Sequence, residues 1–258
     1  MNQPNLRNLI REKNPVMAGA IGQFCSAKFV EIMALSGSFD CLWIDQEHVG
    51  LTTPQIEEAA RAARGCGIPS FVRLPATDYA AVMRPLEAGS QGVMASMVRS
   101  VQEVKNLVHW AKFHPLGGRG VNGTGVDGRY GGYGAEDYFQ KANESVFLAV
   151  QIEHVDALNV VEEIAQVPGI DLLFIGPADL SQTLGLPNQW EHPRMWQAIE
   201  RVAKASAQAK IHWGILPRNP EYGKKCLDLG ARLLSSGMDS PLIQMGLKAH
   251  REAWKGIA

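Results

Sequence analysis

The chain has 258 residues, 46% of them hydrophobic and 20% charged, and a formal net charge of −1. Charges of both signs are interspersed, which excludes the basic stripe of a nucleic-acid binder and the polybasic face of a membrane-surface protein. A chain of this length fits one α/β barrel domain, 1–258, better than two average domains, and it has no apolar run of membrane-spanning length and no signal-peptide core over 1–14. A cytoplasmic location and a small-molecule partner are therefore expected.

The apolar spacing predicts a short helix over 5–13, a lid on a barrel floor, followed by eight strand–helix repeats. Strands 16–21, 41–44, 70–73 and 92–95 are followed by helices 27–35, 54–64, 79–86 and 101–112. Strands 147–152, 172–175, 212–215 and 233–236 are followed by helices 155–167, 193–208, 220–229 and 241–254. Eight repeats in this length predict a closed (β/α)8 TIM barrel. The stretch 116–134 breaks the rhythm, holding nine of the 26 glycines together with Arg119, Asn122, Arg129, Tyr130 and Tyr133. Two readings are open for this long loop: a mobile cover that shields a site, or a disordered or partner-packed insertion. Cys25, Cys41, Cys66 and Cys226 form no C-x-x-C pair and read as buried thiols.

In such a barrel the reacting groups leave the C-terminal ends of the strands. The second strand leads into Asp45-Gln46-Glu47-His48, the third ends at Arg73, the fifth releases Gln151 and Glu153, and the sixth runs into Gly176-Pro177-Ala178-Asp179. A parallel crossover brings the fifth and sixth exits to one edge, so Glu153 and Asp179 face one pocket. Two carboxylates side by side raise one pKa unless they share a proton or a cation sits between them. A divalent cation is the preferred resolution. Two carboxylates and water make a hard oxygen site for Mg²⁺, Mn²⁺ or a similar ion, with positions left for the carboxylate and keto oxygen of a 2-oxoacid. A Lewis acid there lowers the energy of an enolate, and Arg73 adds positive charge. His48, with an intrinsic pKa of about 6.5, can accept and donate the proton, and Asp45 can orient its ring.

Plainer roles compete for each residue. His48 could cap or face solvent, Arg73 could pair with a surface acid, and Glu47 reads best as half of a buried ion pair. His154 reads as a helix start. Gly176 to Ser181 could be a tight turn with Asp179 or Ser181 as a cap, although the N–H groups of a helix start there could also hold a substrate carboxylate.

The segments Trp43-Ile44-Asp45-Gln46-Glu47-His48, Val72-Arg73, Gln91-Gly92-Val93, Met97-Val98, Gly118-Arg119-Gly120-Val121, Val150-Gln151-Ile152-Glu153, Gly176-Pro177-Ala178-Asp179-Leu180-Ser181 and Gly214-Ile215-Leu216 together carry a resemblance. In this order they resemble the HpcH/HpaI-type class II aldolases, which use a divalent metal and a pyruvate enolate and are related to macrophomate synthase. The resemblance implies Glu153 and Asp179 as metal ligands for Mg²⁺, Mn²⁺ or Co²⁺, and His48 with Asp45 as the acid/base pair. It implies Arg73 as a catalytic and substrate-contacting residue, with Gln151, Ala178, Asp179 and Leu216 also on the substrate side. It further implies a last helix exchanged between subunits, a hexamer built as a trimer of dimers, and Glu87 as an acid that reaches a neighbouring site. The expected reaction is reversible cleavage of a 4-hydroxy-2-oxoacid to pyruvate, or a close analogue such as hydroxypyruvate, and an aldehyde. Alternatives are an oxaloacetate decarboxylase or other enolate-forming lyase on the same site, and a binding protein on an aldolase scaffold. A lysine Schiff-base aldolase is disfavoured, because no Lys ends a predicted strand. The chain departs from the family pattern at Ala95-Ser96, at Val49-Gly50-Leu51 and in the insert after Gly120-Val121, which leaves the acceptor aldehyde open.

Overall fold

The computed structural model describes residues 4–256. Eight parallel strands close into a barrel in chain order. They are β1 (Val16–Ile21), β2 (Cys41–Asp45), β3 (Ser70–Pro75), β4 (Gly92–Ser96), β5 (Phe147–Ile152), β6 (Leu172–Ile175), β7 (His212–Ile215) and β8 (Leu233–Met238). All eight stand where the apolar runs place them. Four extend past the runs at their C-terminal ends, because ladder pairing continues through residues that do not look strand-like, such as Asp45 opposite Arg73 and Pro75 opposite Ser96.

Between the strands run α1 (Leu6–Glu12), α2 (Ala27–Leu35), α3 (Thr53–Gly65), α4 (Tyr79–Glu87), α5 (Val101–Ala111), α6 (Ala135–Ser145), α7 (Val155–Asn159), α8 (Val161–Ala165), α9 (Pro177–Thr183), α10 (Pro193–Ala209), α11 (Pro220–Asp228) and α12 (Asp239–Ala253). Among the described residues no helix is long and apolar enough to cross a membrane.

Helices cover the outer face of the sheet, so strand residues of both parities are apolar and two cores form. Ile44, Val72, Val93, Val150 and Ile175 pack outward against the helices. Cys41, Trp43, Phe71, Met94, Phe147 and Phe174 fill the barrel interior. Helix α1 plugs the floor of that interior with Leu6 and Ile10, as the lid expectation required. Its seat is fixed by the Leu6 N–H donating to Gln91 Oε1 at 2.8 Å and by Arg7 Nε on Asp171 Oδ1 at 2.7 Å.

Three elements differ from the sequence reading. The helix expected over 155–167 is two short helices, because Val160 leaves helical geometry at φ −119°, ψ 23°. Helix α6 was not expected: its sequence is largely polar, and it docks through Tyr138, whose ring lies 5.2 Å from that of Phe113. The glycine-rich stretch follows α5 and precedes β5, so it belongs to the N-terminal side of the barrel and does not cover the C-terminal mouth of its own chain. It lies against α4, with the Gly120 N–H donating to Tyr79 Oη at 2.8 Å and Asn122 Nδ2 donating to Glu87 at 3.3 Å.

Helix α12 stands apart from the others. Its only buried residue is Asp239, whereas α10 buries six. Met245 and Leu247 on α12 are 66% and 58% exposed.

Candidate active site

The mouth is assembled from inward-facing residues one layer above the aromatic fill. Trp43 and Phe174 lie 6.3 Å apart, Phe71 and Phe147 5.5 Å apart, and these rings close the barrel beneath the polar layer. Trp43 donates from Nε1 to Ser235 Oγ at 2.9 Å, and Arg73 lies over its face at 4.6 Å. A planar guanidinium is suited to that stacking.

Asp45 and Arg73 face each other across the β2–β3 ladder. Arg73 donates from Nε and Nη2 to the two oxygens of Asp45 at 3.0 and 2.7 Å, and its Nη1 lies 3.1 Å from Glu47 Oε2. Both charges are buried, so removing one partner would strand the other at a cost of about 3–5 kcal/mol. This arrangement settles where two side chains point. Asp45 was expected to orient the His48 ring, but its carboxylate is held by Arg73 and accepts the backbone N–H groups of Glu47 and His48 at 3.1 and 3.4 Å. The His48 ring, 63% exposed, instead has Glu47 Oε2 3.7 Å from its Nε2. The ladder register gives Arg73 a shorter reach to Asp45 than a loop residue three positions on. Glu47 does form the ion pair its sequence context suggested.

Glu153 leaves β5 fully buried, and Gln151 donates from Nε2 to its Oε2. Its other oxygen accepts the Met97 N–H at 2.6 Å. Burial lifts the Glu153 carboxyl to about 7; the Met97 hydrogen bond opposes this, Glu47 and Asp179 push further up, and Arg73 pulls down. Asp179, in the first turn of α9, is therefore electrostatically coupled to Glu153, as the crossover argument required. Ala178 precedes it in that turn, and Leu216, just past β7, packs on the interior core. His154 caps α7 by accepting the Asp156 N–H on Nδ1 at 3.1 Å, the helix-start role expected of it.

Two residues of the site carried motif signal but no role. Met97 sits at φ 52°, a left-handed conformation that is strained for a non-glycine residue and that aims its N–H at Glu153. Gly176 is needed for a close approach: a Cβ there would lie 2.5 Å from Glu153 Oε2 and 2.6 Å from Gln151 Nε2. A glycine before Pro177 looks like ordinary turn chemistry, and only the folded chain shows what it makes room for.

These residues fit a hard cation. Gln151 Oε1 is a buried acceptor without a hydrogen-bond partner, and beside it Glu153 is a buried carboxylate on which Glu47 and Asp179 place further negative charge, opposed by Arg73. Among the described residues no group of three or more His, Cys, Asp and Glu side chains gathers to hold a metal. An ion here would have protein oxygens on one side and water or substrate oxygens on the other. Cys41 and Cys226 are buried as expected, while Cys25 and Cys66 are half-buried; burial pushes Cys25 up to about 11 and Cys226 to about 12, and raises Cys41 further.

Residues 24–244 match the model of the HpcH/HpaI aldolase/citrate lyase family. The chain belongs to that family, as the resemblance of its motifs implied, and it is a carbon–carbon lyase on a (β/α)8 barrel. It is 32% identical over 231 residues to a hydroxypyruvate/pyruvate aldolase of Sagittula stellata, covering 90% of each chain. It is 34% identical over 245 residues to a 4-hydroxy-2-oxovalerate aldolase of Novosphingobium aromaticivorans, covering 94% of this chain and 92% of the other. Among solved structures, the HpcH/HpaI aldolase from Desulfitobacterium hafniense superposes with a TM-score of 0.89 at 29% identity, over 97% of this chain and 96% of that one.

Proposed function

We propose that the protein reversibly cleaves a 4-hydroxy-2-oxoacid to pyruvate, or a close analogue such as hydroxypyruvate, and an aldehyde. The observation that carries this reading is the buried Glu153 carboxylate at the mouth, raised by the charges of Glu47 and Asp179 and opposed by Arg73, beside Gln151, whose Oε1 is left unpartnered. The names of the curated relatives support the reaction class.

Glu153 and Asp179 are the residues that would hold a divalent ion, which when bound supplies Lewis-acid polarisation of the substrate carbonyl. Arg73 uses two of its five N–H groups on Asp45 and makes an ion-pair contact with Glu47 through Nη1, and its other N–H groups can meet the negative charge that develops on the oxoacid. Its fixed position matters, because a preorganised donor need not reorient during the reaction. The N–H groups at Ala178 and Asp179 open α9 and can take the substrate carboxylate, while Leu216 offers an apolar wall. The aromatic layer beneath keeps water from entering by the barrel axis. His48, exposed at the rim beside Glu47, moves the proton between the substrate and solvent. Removal of divalent ions by a chelator should abolish pyruvate release, and His48→Ala should slow exchange of pyruvate methyl protons with solvent about 10²–10⁴-fold while divalent affinity stays unchanged. Undiminished activity in excess chelator would overturn the reading.

We infer also that α12 packs on a neighbouring copy, in the exchanged-helix hexamer that the family resemblance implies. Its almost wholly unburied surface, with Met245 and Leu247 facing outward, supports this. Sedimentation should show a hexamer, and a monomer at micromolar concentration would refute the exchange.

A further inference from the structure

A second polar cavity, of about 630 Å³, lies beside the N-terminal ends of β4 and β5, where Gln91 and Val146 precede the strands. The glycine-rich segment and α6 form its outer wall. Its size is that of a small-molecule site, and its lining has the opposite charge balance from the mouth. Arg64, Arg119, Arg129 and Lys141 reach it, against one lining carboxylate, Asp127, with Glu87 on its rim through Asn122.

Arg119 is the feature that asks for a ligand. Its side chain is almost wholly buried and lies 4.8 Å over the Phe113 ring. One nitrogen, Nη2, is paired with Asp127, whose carboxylate also accepts the Tyr138 hydroxyl at 2.7 Å. The other two, Nε and Nη1, are buried without a hydrogen-bond partner. Buried donors left unpaired are destabilising, by about 1–3 kcal/mol and more for a charged group, so such a site is incomplete as it stands. Asp127 cannot complete it, since its carboxylate is already shared between Arg119 and Tyr138.

The surrounding cations can serve the same ligand, although Lys141 is also paired with Asp137 at 3.3 Å in an exposed i,i+4 contact. The Arg64 side chain makes no hydrogen bond or ion pair among the described residues. Arg129 lies 4.7 Å over the Tyr133 ring, and Lys141 lies 4.9 Å from the same ring, so two positive charges flank one aromatic at the entrance. Arg129 and Tyr130 both hold positive φ, at 52° and 55°, which turns the segment back over the cavity. We propose that this cavity is a second, non-catalytic site for a small organic anion bearing a carboxylate or phosphate group, with Arg119 as its anchor and Arg64 and Lys141 as supporting charges.

The test uses the full-length protein stripped of divalent ions, so that its outcome does not depend on the proposed reaction. Inorganic phosphate and succinate are titrated separately by calorimetry. At least one should bind at one site per chain, and the probe that binds tells a phosphorylated ligand from a carboxylate one. Arg119→Met should abolish that binding. If Arg119→Met fails to fold by circular dichroism, Arg64→Met and Lys141→Met, on partly exposed side chains, carry the test, and each should weaken binding at least about fivefold, the loss of a charge-assisted contact. Absence of binding by either probe at millimolar concentration overturns the proposal. So does binding that Arg64→Met and Lys141→Met leave unchanged, because such an anion would sit elsewhere, for instance at Arg73.

Discussion

The mouth of the barrel and the cavity beside its floor are built from the same ingredients in opposite proportion. At the mouth, Asp45, Glu47, Glu153 and Asp179 surround a single guanidinium, Arg73. At the floor-side cavity, four cations surround Asp127. Each place leaves a buried polar atom unpaired: an acceptor, Gln151 Oε1, where negative charge is in excess, and donors on Arg119 where positive charge is in excess. The comparison teaches that an unsatisfied atom is informative when its sign agrees with the local charge balance, since both then ask for the same counter-ion. The two places also differ in support. The mouth is held by strand ends and ladder register, the floor-side cavity by a glycine-rich segment.

The largest effect that would sharpen this contrast is removal of either acid. Glu153→Ala or Asp179→Ala should lower divalent affinity and turnover by more than about 10³-fold, since the charge stabilisation lost is several kcal/mol. Anion binding at Arg119 should be untouched, and a parallel loss there would break the division into two independent sites. Arg73→Met should come next, with a fall in kcat of about 10²–10³-fold. It should also lose about 3–5 kcal/mol of stability by urea unfolding, because Asp45 would be left buried and unpaired. A smaller effect is expected from Gly176→Ala. The added methyl displaces Glu153 Oε2 without removing a ligand, so divalent affinity should fall about 10–100-fold, as for other changes that misorient a metal-binding group. An unchanged affinity by calorimetry would mean that Glu153 Oε2 does not hold the ion.

Much of the mouth was legible in the chain. The positions of all eight strands followed from short apolar runs, and the placement of Glu153 and Asp179 followed from the rule that parallel strands exit on one face. The role of Glu47 in an ion pair and the capping role of His154 were also readable. Asp45 meets His48 through the backbone N–H and not the ring: sequence proximity suggested the ring contact, and the ladder partner Arg73 took the carboxylate. Helix α6 escaped because a polar, weakly striped segment carries little periodic signal, and it docks through Tyr138 and Phe139 against Phe113 and through Asn143 on the Phe113 backbone.

The sequence by itself determined the barrel, the order of its repeats and the identity of the acids at the exits, because these depend on alternation and run length along neighbouring residues. Tertiary structure alone decided that Met97 offers its N–H to Glu153, that Gly176 lets Glu153 and Gln151 approach its backbone, that Arg119 is buried with two free nitrogens, and that α12 buries only Asp239 in its own chain. Each of these is set by register and closure, which bring together residues far apart in the chain, and no local pattern encodes which atom will be left without a partner.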